Sequence, residues 1–398
     1  MALTGFAGGP ALMCPAPLAS CAAGVVRALD AVAPAAFKSD GAALLGERAA
    51  VAGLSRNGAI SPGGACRLLN AADGVLAVNL PRDADWELLP AWFEGDCSPD
   101  WTSLALQVAG KSRSHLIARG RVLGLAVAPE APPVPRAWYH LNTDDLPGSP
   151  PEHAPLVIDL SALWAGPLAA HLLLCTGARV IKVESRKRLD GARRGPPGFF
   201  DLLHAGKEEC VLDFDTEREQ LLALLAAADI VIDASRPRAL RQLGLNPEEI
   251  VKNRPGLVWV NITGYGRTGP QADWIAFGDD AATAAGLTHI MHEACGASVF
   301  CADAVADPLT GLHAALAALV LYRQGRGGLV ALALSDVAAH CALFDPPTEG
   351  WRARAQAWTA HLERSGQPVM PPKAQARERA HPRASPSNDA RGRARPQC

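Results

Sequence analysis

Between residues 155 and 185 the chain reads PLVIDLSALWAGPLAAHLLLCTGARVIKVES, and its apolar positions fall into three blocks. Val157, Ile158 and Leu160 form a short apolar run that stops at the small-residue turn Ala165-Gly166-Pro167. A helical block follows, Gly177 ends it, and Val180, Ile181 and Val183 begin a second strand, so the segment predicts a strand–helix–strand unit. Asp229 to Asp233 (DIVID) and Leu257 to Ile262 (LVWVNI) read as further buried strands, with Leu221 to Ala228 as a helix. Strands alternating with helices predict an α/β fold built on an open, doubly wound (Rossmann-like) parallel sheet. A last apolar stretch, from 305 to 328, predicts a helix opened by Asp307 and Pro308.

The flanks read differently. RLLNAADGVLAVNLPRDADWELLPAWFEGD, from Arg67 to Asp96, predicts a strand, a turn at Asp73-Gly74, a second strand and a helix starting near Asp85. This implies a second, smaller α+β domain over residues 1–131. Residues 132–155, with Pro133, Pro135, Pro147, Pro150 and Pro151, read as a linker. The α/β core is expected over 156–340, a helical segment over 341–366, and a disordered tail over 367–398, where Pro, Arg, Ala and Ser dominate.

Composition narrows the function classes. A chain of 398 residues with 49% hydrophobic content can bury one large core or two moderate ones. A net charge of −2 argues against a nucleic-acid or membrane-surface partner. The 10 cysteines follow no repeated spacing and read as reduced cytosolic thiols. Leu18-Ala19-Ser20-Cys21 looks like a lipoprotein cleavage site, but no Lys or Arg precedes it and Pro10, Pro15 and Pro17 break the apolar run, so export is not expected. His289, His292 and Cys295 lack zinc-module spacing, so no metal is expected; His313 reads as a packed polar residue.

Asp307 is the candidate nucleophile. With Pro308 in the first helical turn it stands where an N-cap stands, and the unpaired N–H groups there should keep it ionised. The same pattern also fits a residue that only caps its helix.

Six segments in order, VIDLSALWAGP, GARVIKVES, HAGKEECVLDFD, ADIVIDASRPRALRQLGL, VNITGYGRTGP and ADPLTGLHAALAALVLYRQGRGG, resemble the family III CoA-transferases. That group includes formyl-CoA:oxalate transferase, the carnitine CoA-transferases and, as a branch, α-methylacyl-CoA racemase. The resemblance implies that Asp307 attacks an acyl-CoA, forming a mixed anhydride and then an aspartyl-CoA thioester, with a small carboxylic acid as acceptor. It implies no permanently bound cofactor, coenzyme A or acyl-CoA as substrate, and a homodimer. Leu163, Trp164 and Ala165 match the family's CoA-contacting turn, although Trp164, where relatives often carry Gln, fits a core residue equally well. Lys207 and Tyr265 match the family's basic and thioester-end aromatic residues, and Gly264 and Gly266 would let backbone approach a ligand. Ala234 and Ser235 stand where the family often has Asn and an aromatic residue. CoA carries phosphates, so Arg186 and Arg193, in the basic stretch after Glu184, are candidate phosphate contacts at the carboxyl edge of the sheet; that stretch also fits plain solvated surface. The region around Asp73-Gly74 weakly resembles the family's small domain, here placed first, as in a permuted order or a partial copy. Phe277 and Gly278 occupy the place of the racemase branch's His, which disfavours racemisation. An acyl-CoA racemase or isomerase and an inactive CoA-binding paralogue remain the alternatives.

Overall fold

The computed structural model describes residues 1–34, 37–143, 148–375 and 377. Its strands, in chain order, are β1 (Cys66–Ala71), β2 (Gly74–Asn79), β3 (Ala126–Pro129), β4 (His140–Asn142), β5 (Leu156–Asp159), β6 (Arg179–Ser185), β7 (Glu208–Leu212), β8 (Ile230–Asp233), β9 (Val258–Thr263) and β10 (Gly328–Ala333). β1, β2 and β3 form a small antiparallel sheet; the other seven form one sheet in the order β4-β10-β9-β8-β5-β6-β7. All neighbours in the larger sheet run parallel except β4, which pairs antiparallel with β10. This is the expected α/β fold with a smaller α+β part.

The two-residue period of a strand sorts its side chains between two cores. Val157, Val180, Ile230, Val260 and Val330 face one layer, where the helices Leu18–Val32, Ala165–Cys175 and Ala306–Arg323 pack. Ile158, Ile181, Val231, Trp259 and Leu329 face the other, against Leu221, Leu225, Leu240 and Leu245. Both faces are covered, which is why these strands are apolar at nearly every position.

β5 lies between β6 and β8, so the chain first winds outward through β6 and β7 and then returns to build β8, β9 and β10 on the other side. The order reverses at β5/β8, and the crevice beyond the carboxyl ends of those two strands is where such sheets bind ligands. The helices Ala165–Cys175 and Ala306–Arg323 cross closely there: a Cβ on Gly311 would lie 2.6 Å from the Ala165 carbonyl oxygen.

Three expectations are revised by the packing. The helix Leu18–Val32 buries Leu18, Ala22 and Leu29 in the larger core rather than in the small sheet's own cluster, because its apolar face covers the helix Ala306–Arg323. The Pro-rich stretch 132–155 supplies β4, whose His140, Leu141 and Asn142 register with Ala331, Val330 and Leu329. The expected tail begins with ordered contacts: Gln375 bonds the backbone of Asp40, and the Arg377 guanidinium is buried on Glu47 at 2.5 Å. Residues 376 and 378–398 of that tail, and 144–147 of the linker, lie outside the described residues. No helix among the described residues is long and apolar enough to cross a membrane.

Candidate active site

Asp307 sits in the first turn of the helix Ala306–Arg323, but the capping position is Val305, so Asp307 lies inside the helix and its side chain caps nothing. The approach to that turn is strained: Ala302 and Ala304 hold positive φ of 60° and 43°. Such backbone costs about 1–3 kcal/mol per residue and persists only where the surroundings enforce it. Here Ala304 donates its N–H to Asp279 Oδ1 at 2.8 Å, and its carbonyl accepts the Asp307 N–H at 3.0 Å.

Around Asp307 gather Asp279, Asp280 and Asp303, with Arg48 as counter-charge. Arg48 grips the fully buried Asp303 with Nε at 2.8 Å and Nη2 at 2.5 Å, and its guanidinium lies 5.4 Å from the Trp164 ring. Asp280 Oδ1 accepts from Asn79 Nδ2 and from the Phe277 N–H, both at 2.9 Å, and its Oδ2 accepts from the Tyr265 hydroxyl at 3.1 Å. Among the described residues the Asp307 carboxylate accepts no hydrogen bond and stays open to a reacting group.

Electrostatics revise the expectation of an ionised carboxylate. Burial pushes Asp307 up to about 7; Arg48 opposes the shift, and Asp279, Asp280 and Asp303 add to it. Asp279 is likewise raised to about 7 by burial and by Asp303, and Asp280 to about 6, chiefly by burial. Three neighbouring carboxyls crowded on one guanidinium cannot all ionise readily.

The predicted binding residues divide into two groups. Trp164, Ala165 and Tyr265 adjoin the Asp307 cluster: Trp164 through Arg48, Ala165 through Gly311, and Tyr265 through Asp280. Trp164 is itself buried edge-on against Phe199 at 5.3 Å, and its indole N–H lacks a partner among the described residues. Leu163 is exposed in the turn, at a positive φ of 71°, with its N–H donated to Asp190 at 2.9 Å. Gly264 packs its backbone against Ala276, and its carbonyl accepts the Ser335 N–H at 3.1 Å. Ser235 closes a turn on Asp233, its N–H 2.7 Å from that carboxylate.

The basic residues are committed to internal partners. Lys207 is fully buried, with Nζ 2.8 Å from Asp159 and 3.0 Å from the Pro167 carbonyl, so it braces the turn from beneath rather than facing solvent. Burial pushes its ammonium below the usual lysine range despite Asp159. Arg186 pairs with Glu217 at 3.0 Å, and Arg193 with Glu184 and Glu209 at 2.5 and 2.9 Å. In this structure their charge is answered by carboxylates.

Sequence reasoning missed Arg48, Asp279, Asp280 and Asp303. Two adjacent acids in the otherwise apolar AFGDDAATAAGL, and a third in CADAVAD, were a usable sign, since buried carboxylates rarely occur without a task. Arg48, in an Ala-rich stretch, carried none.

The pattern that defines CoA-transferase family III matches residues 155–370. The succinate–glutarate CoA-transferase of Agrobacterium fabrum is 32% identical over 213 residues, 48% of this chain and 53% of that protein. A probable fatty acyl-CoA transferase of Mycobacterium tuberculosis, Rv3272, is 32% identical over 196 residues, 46% of this chain and 50% of that protein. A crystal structure of Rv3272 is similar to this chain with 29% identity and a TM-score of 0.43, over 54% of this chain and 58% of that one. The chain thus spans about half the length of the curated relatives it matches. With that match covering more than half of its residues, the chain belongs to CoA-transferase family III.

Proposed function

We propose that this protein transfers CoA between an acyl-CoA and a free carboxylic acid, with Asp307 as the covalent nucleophile. One observation carries the reading: a carboxylate without hydrogen-bond partners among the described residues stands at a strained helix start, inside the segment that matches the family.

The chemistry follows from a carboxylate's properties as nucleophile and leaving group. An oxygen of ionised Asp307 attacks the thioester carbonyl, the C–S bond breaks, and CoA leaves as thiolate. The thiolate then attacks the aspartyl carbonyl of the mixed anhydride, releasing the first acid and leaving an aspartyl-CoA thioester. An incoming carboxylate attacks that thioester and expels the thiolate, which takes the new acyl group and restores Asp307. Arg48, held by Asp303, lowers the cost of ionising Asp307.

The relatives' names include succinate, glutarate and fatty acyl groups, which sets the panel to be tried. Purified protein is incubated with succinyl-, glutaryl-, acetyl- and long-chain acyl-CoA, each with excess free acids, and followed by mass spectrometry. The reading expects a new acyl-CoA in at least one pairing and, after hydroxylamine quenching, a modified peptide containing Asp307. Transfer without label at Asp307 would remove that residue from the mechanism, and no transfer with any pairing would remove the function.

A further inference from the structure

After the helix Trp351–Ser365, residues 367–375 run without helix or strand, and Pro368, Pro371 and Pro372 preset an extended backbone. This strap crosses the start of the six-residue helix Glu47–Ala52, whose first two residues are Glu47 and Arg48. Pro372 lies against Gly46, where a β-carbon would sit 3.0 Å from the proline's Cβ. Gln375 clamps Asp40, accepting its N–H and donating to its carbonyl, each at 2.9 Å, and gives its own N–H to Glu47 at 3.1 Å. The Arg377 guanidinium completes the contact on Glu47.

Among the described residues, every hydrogen bond to the Glu47 carboxylate therefore comes from the strap. The side chains of Glu47 and Arg377 are 0% and 2% exposed, so water cannot stand in for the guanidinium. Burial pushes the Glu47 carboxyl up, and Arg377 and the Gln375 N–H oppose that shift. Burial also pushes the neighbouring His171 down to about 3 and Cys175 up to about 11, so at neutral pH neither competes with Arg377 for Glu47.

Six residues are too few to hold a helix by themselves, and Gly46 offers no side-chain cap, so this helix takes its place from what its side chains grip. Adjacent residues on a helix point about 100° apart, which lets Glu47 and Arg48 hold different neighbours. Glu47 is tied to the strap. Arg48 is tied to Asp303 and opposes the effect of burial on Asp307. A movement of the first turn that frees one residue displaces the other.

We propose that Arg377 is a positioning residue for the Asp307 cluster: by holding Glu47 it fixes the first turn of Glu47–Ala52 and keeps Arg48 on Asp303. The inference rests on the CoA-transfer reading above. Full-length Arg377→Gln, Arg377→Lys and Gln375→Ala are compared with wild type by the pH profile of transfer and by hydrogen–deuterium exchange of the peptide from Gly46 to Leu54. With Arg48 loosened, Asp307 loses a neighbour that favours its charged form, so the acid limb of kcat/KM should move to higher pH. For Arg377→Gln this means about 10-fold less activity at pH 6, with wild-type values regained by pH 8.5. Gln375→Ala should shift the limb in the same direction by less, and Arg377→Lys, which keeps the charge, should restore most of the loss. Exchange across Glu47–Ala52 should quicken in the same order. A lower melting temperature with an unshifted acid limb makes Arg377 a plain anchor and overturns the inference while transfer stands; if Arg377→Gln does not fold, an unshifted limb in Gln375→Ala does the same. Absence of transfer by the wild-type chain overturns the function instead, and unchanged exchange in Arg377→Gln overturns the strap's hold on the helix whether or not the protein transfers CoA.

Discussion

Asp307 Oδ2 occupies space that any side chain at position 278 would need: a β-carbon built on Gly278 would lie 2.4 Å from it and 2.3 Å from the Ala304 carbonyl oxygen. The absence of a side chain at 278 therefore sets where the Asp307 carboxylate stands. Gly278→Ala should displace the nucleophile or the strained turn before it. Small misplacements of reacting groups cost about 100-fold in rate, so kcat should fall by that order while CoA affinity is nearly unchanged. Equal kcat in the two proteins would show that the carboxylate has room to move.

Asp307→Asn keeps size and shape and removes the proposed nucleophile. Transfer should fall by about 10⁴-fold or more, as when a covalent route is lost. Because Val305 caps the helix, thermal unfolding should move by less than the equivalent of the roughly 1 kcal/mol that a lost N-cap costs. A large drop in melting temperature with near-normal turnover would return Asp307 to a purely structural role.

The crowded carboxyls give rate and stability opposite dependences on pH. If Asp307 is the nucleophile proposed above it must be ionised, so kcat/KM should rise with pH through about 7. For stability the sign reverses. Asp279 is raised to about 7 from an unfolded value near 3.9, so the unfolded chain binds fewer protons between those limits. Its contribution is full below about 4 and is lost as pH rises through 7. Asp279→Asn mimics the protonated form, so its melting temperature relative to wild type should climb between pH 5 and pH 8. A constant difference across that range would exclude Asp279 as the titrating group.

Arg48→Met leaves Asp303 buried without its partner. Breaking such a pair costs about 3 kcal/mol or more, whereas replacing both members by apolar side chains is close to neutral. Chemical denaturation should therefore rank Arg48→Met well below wild type and Arg48→Met/Asp303→Leu above the single variant. Equal losses in both would mean that Asp303 is stabilised by something other than Arg48.

The sheet was legible because β5, β6, β8 and β9 are buried on both faces, and continuous apolar runs with glycine stops leave few other readings. β4 was not, because three residues in a proline-rich stretch take their strand geometry from β10 rather than from their own pattern. Asp307 became a candidate through the family resemblance, since its local context fitted a plain cap equally well; its protonation could not be read from sequence, since that depends on Asp279, Asp280, Asp303 and Arg48 folding around it. The basic stretch misled for the same reason: Glu209 and Glu217, which answer Arg193 and Arg186, come from β7 and the segment after it. Local pattern names the groups; tertiary partners decide their charge.

The pairing of Arg48 with Asp303 also bears on how the molecule is made. The two residues stand 255 positions apart, and the helix Leu18–Val32 likewise waits for the helix Ala306–Arg323. Contacts this distant in sequence close slowly, because loop entropy is lost before any packing is gained. An emerging chain holds Arg48 long before its carboxylate exists, and the pocket closes only once the chain has been synthesised through Asp307. Transferase activity would then report completed folding: a partly folded chain could hold β5 to β8 in place and still have no site.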